Sequence, residues 1–218
     1  MVTVISLGGS IVAPANPDPV FLKDFSSLIF RLLEEDSERR FIFVVGGGGP
    51  ARAWQDAYRS VAPNFCPDDA DWIGIMATRL NARLVKAIMG SYCLDEVVFD
   101  PTEEKPFKGR VLLAAGWKPG FSTDFDAVVL AERFKADMLI NLSNIAKVYT
   151  DDPKKDPNAK PIDTISWKDF RAMVGDEWVP GKNVPFDPIA SRKAEEMGLK
   201  VICAAGRDLE NLEALLEG

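Results

Sequence analysis

Two clusters of glycine stand where a chain could grip an anion. Gly8-Gly9-Ser10 follows the β-branched run from Val2 to Leu7, and Gly46-Gly47-Gly48-Gly49-Pro50 follows the apolar run Phe41-Ile42-Phe43-Val44-Val45. Glycine lets the backbone approach phosphate oxygens and aim its N–H groups at them, and a following helix N-terminus adds positive potential. A tight turn would use the same residues, and for the first pair both readings stand. The run of four between a buried strand and a helix favours close backbone approach to a phosphate. Arg52, one helical turn further on, can reach back over phosphates with a forked set of donors. The chain contains no histidine. That excludes Ser-His-Asp and Cys-His nucleophiles and imidazole metal ligation, and leaves carboxylates, lysine, arginine, hydroxyls and backbone amides to do any chemistry. Phosphoryl transfer to an acceptor that is already an anion fits this inventory, because it needs positioning and charge neutralisation more than a proton shuttle.

Such turns need strands and helices to hold them. Val2–Leu7, Phe41–Val45, Val97–Phe99, Val111–Leu113, Met138–Leu142 and Lys200–Cys203 read as strands, several of them continuous apolar runs of the kind buried on both faces of a parallel sheet. Between them, apolar residues at helical spacing predict helices over 20–33, 51–58, 69–89, 126–134, 188–197 and 209–216, while the Pro- and Lys-rich stretch 151–161 reads as loop. Strands alternating with helices predict an α/β fold, a three-layer αβα sandwich on a mainly parallel sheet. In such a sheet a ligand sits at the carboxyl ends of the strands, where both glycine turns fall.

Composition narrows the partners. The 218 residues are 47% hydrophobic and 27% charged, enough for one domain with a sizeable core. A formal net charge of −7 argues against nucleic-acid binding, which needs a basic face. No apolar stretch is long enough to span a bilayer and the N-terminus has no basic leader, so no membrane partner is expected and the reading is a cytoplasmic protein. Cys66, Cys93 and Cys203 are scattered, with no zinc or disulfide spacing. Gly46 to Ala51 satisfies G-x-G-x-x-A, with Asp68, Asp69 and Asp71 about twenty residues on, which raises a dinucleotide site. The match follows the second strand instead of the first, and Pro50 removes an amide. Gly181-Lys182 lacks the glycine spacing of a phosphate-binding P-loop.

Five segments carry a resemblance that runs nearly end to end: Ser6-Leu7-Gly8-Gly9-Ser10; Val44-Val45-Gly46-Gly47-Gly48 with Arg52; Asp71-Trp72-Ile73-Gly74-Ile75 with Thr78-Arg79; Pro119-Gly120-Phe121-Ser122-Thr123-Asp124; and Val148-Tyr149-Thr150-Asp151-Asp152-Pro153-Lys154-Lys155-Asp156-Pro157. Together they resemble the amino acid kinase family, and within it the archaeal-type UMP kinases. The resemblance implies ATP with Mg²⁺ as cofactors, UMP as acceptor, and a homo-oligomer, often a hexamer. It implies one domain over 1–218, with an acceptor-binding part at about 1–135 and an ATP-binding part at about 136–218. Gly8, Gly9 and Ser10 would line the ATP phosphates with Gly48 and Arg52 nearby. Gly47 would approach the acceptor phosphate, and Asp71 would hold the ribose of UMP. Lys118, Pro119, Gly120, Phe121, Ser122, Thr123 and Asp124 would wrap its base and phosphate. Ser143, Asn144, Tyr149 and Asp152 would border adenosine, and Asp187 would organise the catalytic centre with Arg52 and Lys118. No protein metal ligands are implied.

Plainer roles compete. Asp71 could be a charge near a helix N-terminus, Ser122, Thr123 or Asp124 could cap the helix that follows, and Tyr149 could be an ordinary strand tyrosine. Two departures stand out. Many family members carry lysine where this chain has Ser6, although the archaeal-type UMP kinases also lack it, and Ile145-Ala146-Lys147 replaces the usual Val-Asp-Gly. Lys147 could supply a compensating charge or be solvated surface, and Lys182 is a further candidate cation.

Overall fold

The computed structural model describes residues 2–152, 156–177 and 184–218. Its elements run β1 Val2–Leu7, α1 Gly9–Val12, α2 Pro19–Glu35, β2 Arg40–Val45, α3 Gly48–Val61, α4 Pro67–Met89, β3 Val111–Ala114, α5 Thr123–Arg133, β4 Met138–Ser143, β5 Val148–Tyr149, β6 Pro161–Ile162, α6 Trp167–Val174, α7 Pro188–Met197, β7 Lys200–Ala205 and α8 Leu209–Glu217. Five strands form one sheet in the order β3-β2-β1-β4-β7, and every pairing in it is parallel. Because the strands all point one way, the turns after β1, β2, β3 and β4 gather on one edge.

The layers follow from the alternation of side chains. Ile5, Leu7, Phe41, Phe43 and Val45 face one core with α2, α4 and α8, while Val4, Ile42 and Val44 face a second with α5, α6 and α7. With β1 and β2 buried on both faces, their sequences read as unbroken apolar runs. Each large side chain removed from water here contributes about 2 kcal/mol, and Phe25, Phe41 and Phe43 are among those with no exposed surface. The sheet runs without a break from the N-terminal strands to the C-terminal ones, since β1 pairs with β4.

Some local expectations shift. Val97–Phe99 does not form a strand; only Val98 bridges to Ala114, and the N–H of Val98 donates to Leu113 and that of Ala115 to Val98. Helix α3 begins inside the glycine run at Gly48, and α5 begins at Thr123, three residues before the apolar periodicity starts. Within the stretch read as loop, Pro161 joins Ile162 in a short antiparallel hairpin with β5. Helix α6 is absent from the predicted elements although Trp167, Phe170 and Val174 fall at helical spacing; its start is set by Ser166, whose hydroxyl accepts from the Asp169 amide.

Candidate active site

The two glycine turns pack backbone against backbone. A Cβ on Gly9 would lie 2.1 Å from the Gly48 nitrogen and 2.6 Å from that of Gly47, and one on Gly46 would lie 2.5 Å from the Gly9 nitrogen. Gly48 also takes φ +67°, a conformation open to glycine without strain. Several of these glycines are therefore required by turn-on-turn packing, a role beyond the one their sequence suggested. The packing leaves the amides of Gly9, Ser10, Gly47 and Gly48 with no protein acceptor among the described residues. Arg52 is exposed beside them and has neither ion pair nor hydrogen bond among the described residues.

Between α3, α4 and the loop after β3 lies a cavity of about 310 Å³. It is lined by Gly47, Gly48 and Arg52 from the second turn, Asp71 and Thr78 from α4, and Gly120 to Thr123 from the loop. Asp71 lies beyond the first turn of α4, and its Oδ2 accepts the Gly120 amide at 3.1 Å, tying helix to loop across the cavity mouth. Ser122 caps α5 by accepting from the Phe125 amide. Lys118 and Pro119 do not line the cavity; the Lys118 ammonium sits 3.8 Å above the Trp117 ring and 5.2 Å from that of Phe121.

Asp124 lies away from the cavity, at the carboxyl end of β1. Ser6 Oγ donates to its Oδ1 at 3.0 Å, and the Asp187 amide donates to its Oδ2 at 3.4 Å. Asp187 in turn caps α7, accepting the Ala190 amide at 2.8 Å. Burial, with Asp187 as a nearby like charge, pushes the Asp124 carboxyl up to about 6 despite the Ser6 bond. Ser6 thus serves as a partner to a carboxylate, and the two aspartates from α5 and the start of α7 meet where the sheet passes from β1 to β4.

On the far side, Ser143 Oγ accepts from the Ile145 amide at 3.3 Å, Asn144 is exposed and Tyr149 sits partly exposed in β5. The Asp152 carbonyl accepts from the Asp156 amide at 2.9 Å. Lys147 pairs with Asp163 across the hairpin. Lys182 lies outside the described residues. A second cavity of about 440 Å³ opens beside β7 and the hairpin, lined among others by Lys147, Trp167, Phe170 and Cys203, and it touches none of the predicted site residues. Burial and the charge of Asp124 push the Cys203 thiol up to about 12.

Three helix residues matter more than their sequence context announced. Asn81 Nδ2 donates to the carbonyls of Gly46 and Gly47 at 2.8 and 3.1 Å, holding the second turn. Thr78 Oγ1 accepts the Gly116 amide at 2.8 Å, and Arg79 Nη2 donates to the Trp117 carbonyl at 3.0 Å. The signal available was a buried polar residue on the apolar face of α4.

A parallel αβα sheet with paired glycine turns, a free arginine and a walled acceptor cavity at its carboxyl edge defines a nucleotide- or anion-handling α/β protein. The family model described as the amino acid kinase family matches residues 1–205, and the chain belongs to that family. Among its relatives are a uridylate kinase from Methanospirillum hungatei, 38% identical over 98% of this chain and 89% of that one, and one from Methanococcoides burtonii, 36% identical over 100% and 92%. The crystal structure of the uridylate kinase from Archaeoglobus fulgidus superposes with a TM-score of 0.85 at 32% identity, covering 100% of this chain and 96% of that one. Aspartate kinase from Synechocystis, at 17% identity and a TM-score of 0.72, shares the fold alone.

Proposed function

We propose that this chain transfers the γ-phosphoryl group of ATP to the phosphate of UMP, as its relatives' names describe for them. The observation that carries the reading is the cluster of four unpaired amides, Gly9, Ser10, Gly47 and Gly48, with the uncommitted Arg52 at the rim of the acceptor cavity. Amides already fixed in place can stabilise phosphoryl oxygens without reorganising. The acceptor phosphate would approach Gly47 and Arg52 in the cavity, with the base and ribose along Gly120 to Thr123 and Asp71. The ATP phosphates would lie over Gly8 to Ser10 and Gly48, with adenosine toward Ser143, Asn144, Tyr149 and Asp152.

The acceptor arrives ionised, so no general base is required. Two anions must instead be aligned and their repulsion offset, which Arg52 and the amides are placed to do. Asp124 and Asp187, bonded to Ser6 and to the start of α7, would fix the relative position of the acceptor and donor turns. Among the described residues no group of three or more carboxylate or thiol side chains could hold a metal ion. Mg²⁺ bound with the nucleotide phosphates would supply charge neutralisation.

The reading includes a homo-oligomer, supported by Trp72, Met76 and Leu80, which expose 42%, 58% and 71% of their surface in one stripe of α4, with Trp54 exposed on α3. Light scattering on the purified chain checks it. No helix among the described residues is long and apolar enough to cross a membrane.

A coupled ADP-release assay with Mg-ATP against UMP, CMP, AMP, GMP, N-acetylglutamate, aspartate and isopentenyl phosphate tests the reaction. Turnover confined to UMP, with UDP as product, is expected. Turnover of another acceptor would reassign the substrate, and ATP binding with no turnover of any acceptor would make the protein a nucleotide binder.

A further inference from the structure

Asp126 has no place in the reaction just described, yet it is fully buried in the first turn of α5. Its Oδ2 accepts the Trp117 amide at 3.2 Å, and its Oδ1 has no partner among the described residues. A carboxyl at such a position is unfavourable unless it does something for the fold or the site. What it touches is the loop that walls the acceptor cavity.

That loop is held from two sides. From α4, Thr78 accepts the Gly116 amide, Arg79 donates to the Gly116 and Trp117 carbonyls, and Asp71 accepts the Gly120 amide. From α5, among the described residues, Asp126 alone reaches the backbone of residues 116 to 118. The Trp117 side chain is engaged as well: it helps to hold the Asp100 carboxyl below its usual value, and its ring centroid lies 4.9 Å from that of Phe121, which lines the cavity. Freeing the Trp117 amide would therefore release the Trp117-Phe121 stack and the cavity wall together.

We propose that Asp126 is a positioning residue for the acceptor nucleotide: its carboxylate fixes the Trp117 backbone from the α5 side and so sets the wall formed by Gly120 to Thr123. The inference rests on the UMP reading for the identity of the acceptor, although not for the clamp itself.

The clamp carries a pH dependence. Burial first, then the like charges of Asp124 and Asp100, push the Asp126 carboxyl up to about 7, against the lowering effect of the Trp117 amide. From the elements packed on this face, β1 presents Val4 and Ser6, β2 presents Ile42 and Val44, β4 presents Leu139 and Asn141, and α7 brings Asp187 to Asp124. Lys118 acts on Asp100. Among the described residues no cation in direct contact stabilises the Asp126 carboxylate, so it anchors less strongly below about pH 7, where it takes a proton.

Asp126→Ala and Asp126→Asn test this in the full chain. Alanine deletes the acceptor; asparagine keeps an oxygen but cannot titrate, and it carries the test should the alanine variant fail to fold. In Asp126→Ala the amides of 117–120 should exchange with deuterium at least tenfold faster at pH 7.5, with the last turns of α5 unchanged. The acceptor KM should rise about five- to tenfold with KM for ATP as in the parent, corresponding to roughly 1 to 1.4 kcal/mol. In Asp126→Asn the acceptor KM should stay within twofold of the parent at pH 8 and lose the part of its rise below pH 7 that the parent shows. Unchanged exchange at 117–120, an equal rise in both KM values, or identical pH profiles in parent and Asp126→Asn would each overturn the proposal. Should the parent turn over no acceptor, the UMP reading fails, and the exchange rates alone decide the clamp.

Discussion

Around the acceptor cavity, the backbone from Gly116 to Gly120 is gripped by side chains of two helices, with Thr78, Arg79 and Asp71 on one side and Asp126 on the other. On the side proposed for the donor, residues 143–152 lean on a hairpin of two residues per strand, a bond from the Asp152 amide to the Asp151 carboxylate and a surface pair between Lys147 and Asp163. Both stretches follow strands of one sheet, yet one is tied mainly by the buried or part-buried bonds of Thr78, Arg79 and Asp126, with Asp71 exposed at the mouth, and the other mainly by exposed groups. Buried side-chain bonds to backbone hold a loop in place before its ligand arrives, whereas exposed ones compete with water at little net gain. Under the proposed reading, the acceptor side is therefore built to discriminate, and the donor side to accept a nucleotide whose own phosphates complete the geometry.

The sharpest way to break this contrast is at the point where both substrates meet. Arg52→Ala removes the uncommitted guanidinium from the cavity rim, and kcat/KM should fall about 10²- to 10³-fold, the scale of losing one charged group that stabilises the transferring phosphoryl. Because Arg52 is exposed and makes no protein contact, thermal unfolding should move by less than about 2 °C. Steady-state kinetics beside a melting curve checks it, and activity equal to the parent would remove Arg52 from the mechanism.

Next in size is the pH dependence of stability. Asp126 has its carboxyl raised from 3.8 to about 7 in the fold. A raised acid means the folded chain holds its proton more tightly than the unfolded one, so stability falls as pH climbs from about 4 to about 7 and is level above. Asp126→Asn removes that loss. Its unfolding free energy relative to the parent should rise by about 2 to 4 kcal/mol between pH 4 and pH 8, the upper figure being three pKa units at 1.36 kcal/mol each. Asp124, shifted in the same direction, leaves a residual slope in both proteins. Urea unfolding at pH 4, 6 and 8 measures the difference, and parallel curves would refute it.

Asn81→Ala probes the other anchor of the acceptor side. It leaves the carbonyls of Gly46 and Gly47 without the amide that holds them, at a cost of about 1 to 3 kcal/mol in urea unfolding. A loss below about 0.5 kcal/mol would show that water replaces Asn81 freely and that the second turn is not held from α4.

Much of this was readable from residue order, for a physical reason. Strands buried on both faces leave continuous apolar runs, so β1, β2 and β4 could be read directly, and with them the edge where both glycine turns lie. The short segments were harder. Val97–Phe99 has the composition of a strand but meets the free edge of β3 at a single bridge, Val98 to Ala114. Helix α6 hid because it is eight residues long, so its stripe of Trp167, Phe170 and Val174 spans only two turns. Within the site, spacing showed which loops converge but not which atoms bond. Asp124 lies in the loop whose neighbours line the cavity, yet it turns to Ser6 and Asp187, and Asp126 looks in sequence like one more acidic residue at a helix start. Contacts between residues more than a hundred positions apart, such as Ser6 with Asp124, leave no local pattern.

The smallest expected effect sharpens the donor side of the comparison. Lys147 stands in the stretch that departs from the usual Val-Asp-Gly, and its ammonium could either replace a lost donor-side contact or serve the hairpin alone. Its pairing with Asp163, at 51% and 81% side-chain exposure, favours the hairpin. The bond to Asp163 raises its pKa, so the charge is present throughout the neutral range. A pair this exposed contributes little to stability, since water screens it and both side chains lose freedom to form it. Lys147→Ala and Asp163→Ala should therefore each move thermal unfolding by no more than about 2 °C and leave KM for ATP within twofold. The double variant should match either single one, because the two side chains act only on each other. A fivefold rise in KM for ATP in Lys147→Ala but not in Asp163→Ala would mean that the lysine leaves its partner when nucleotide binds, and that the donor side has exchanged a backbone contact for a side-chain one.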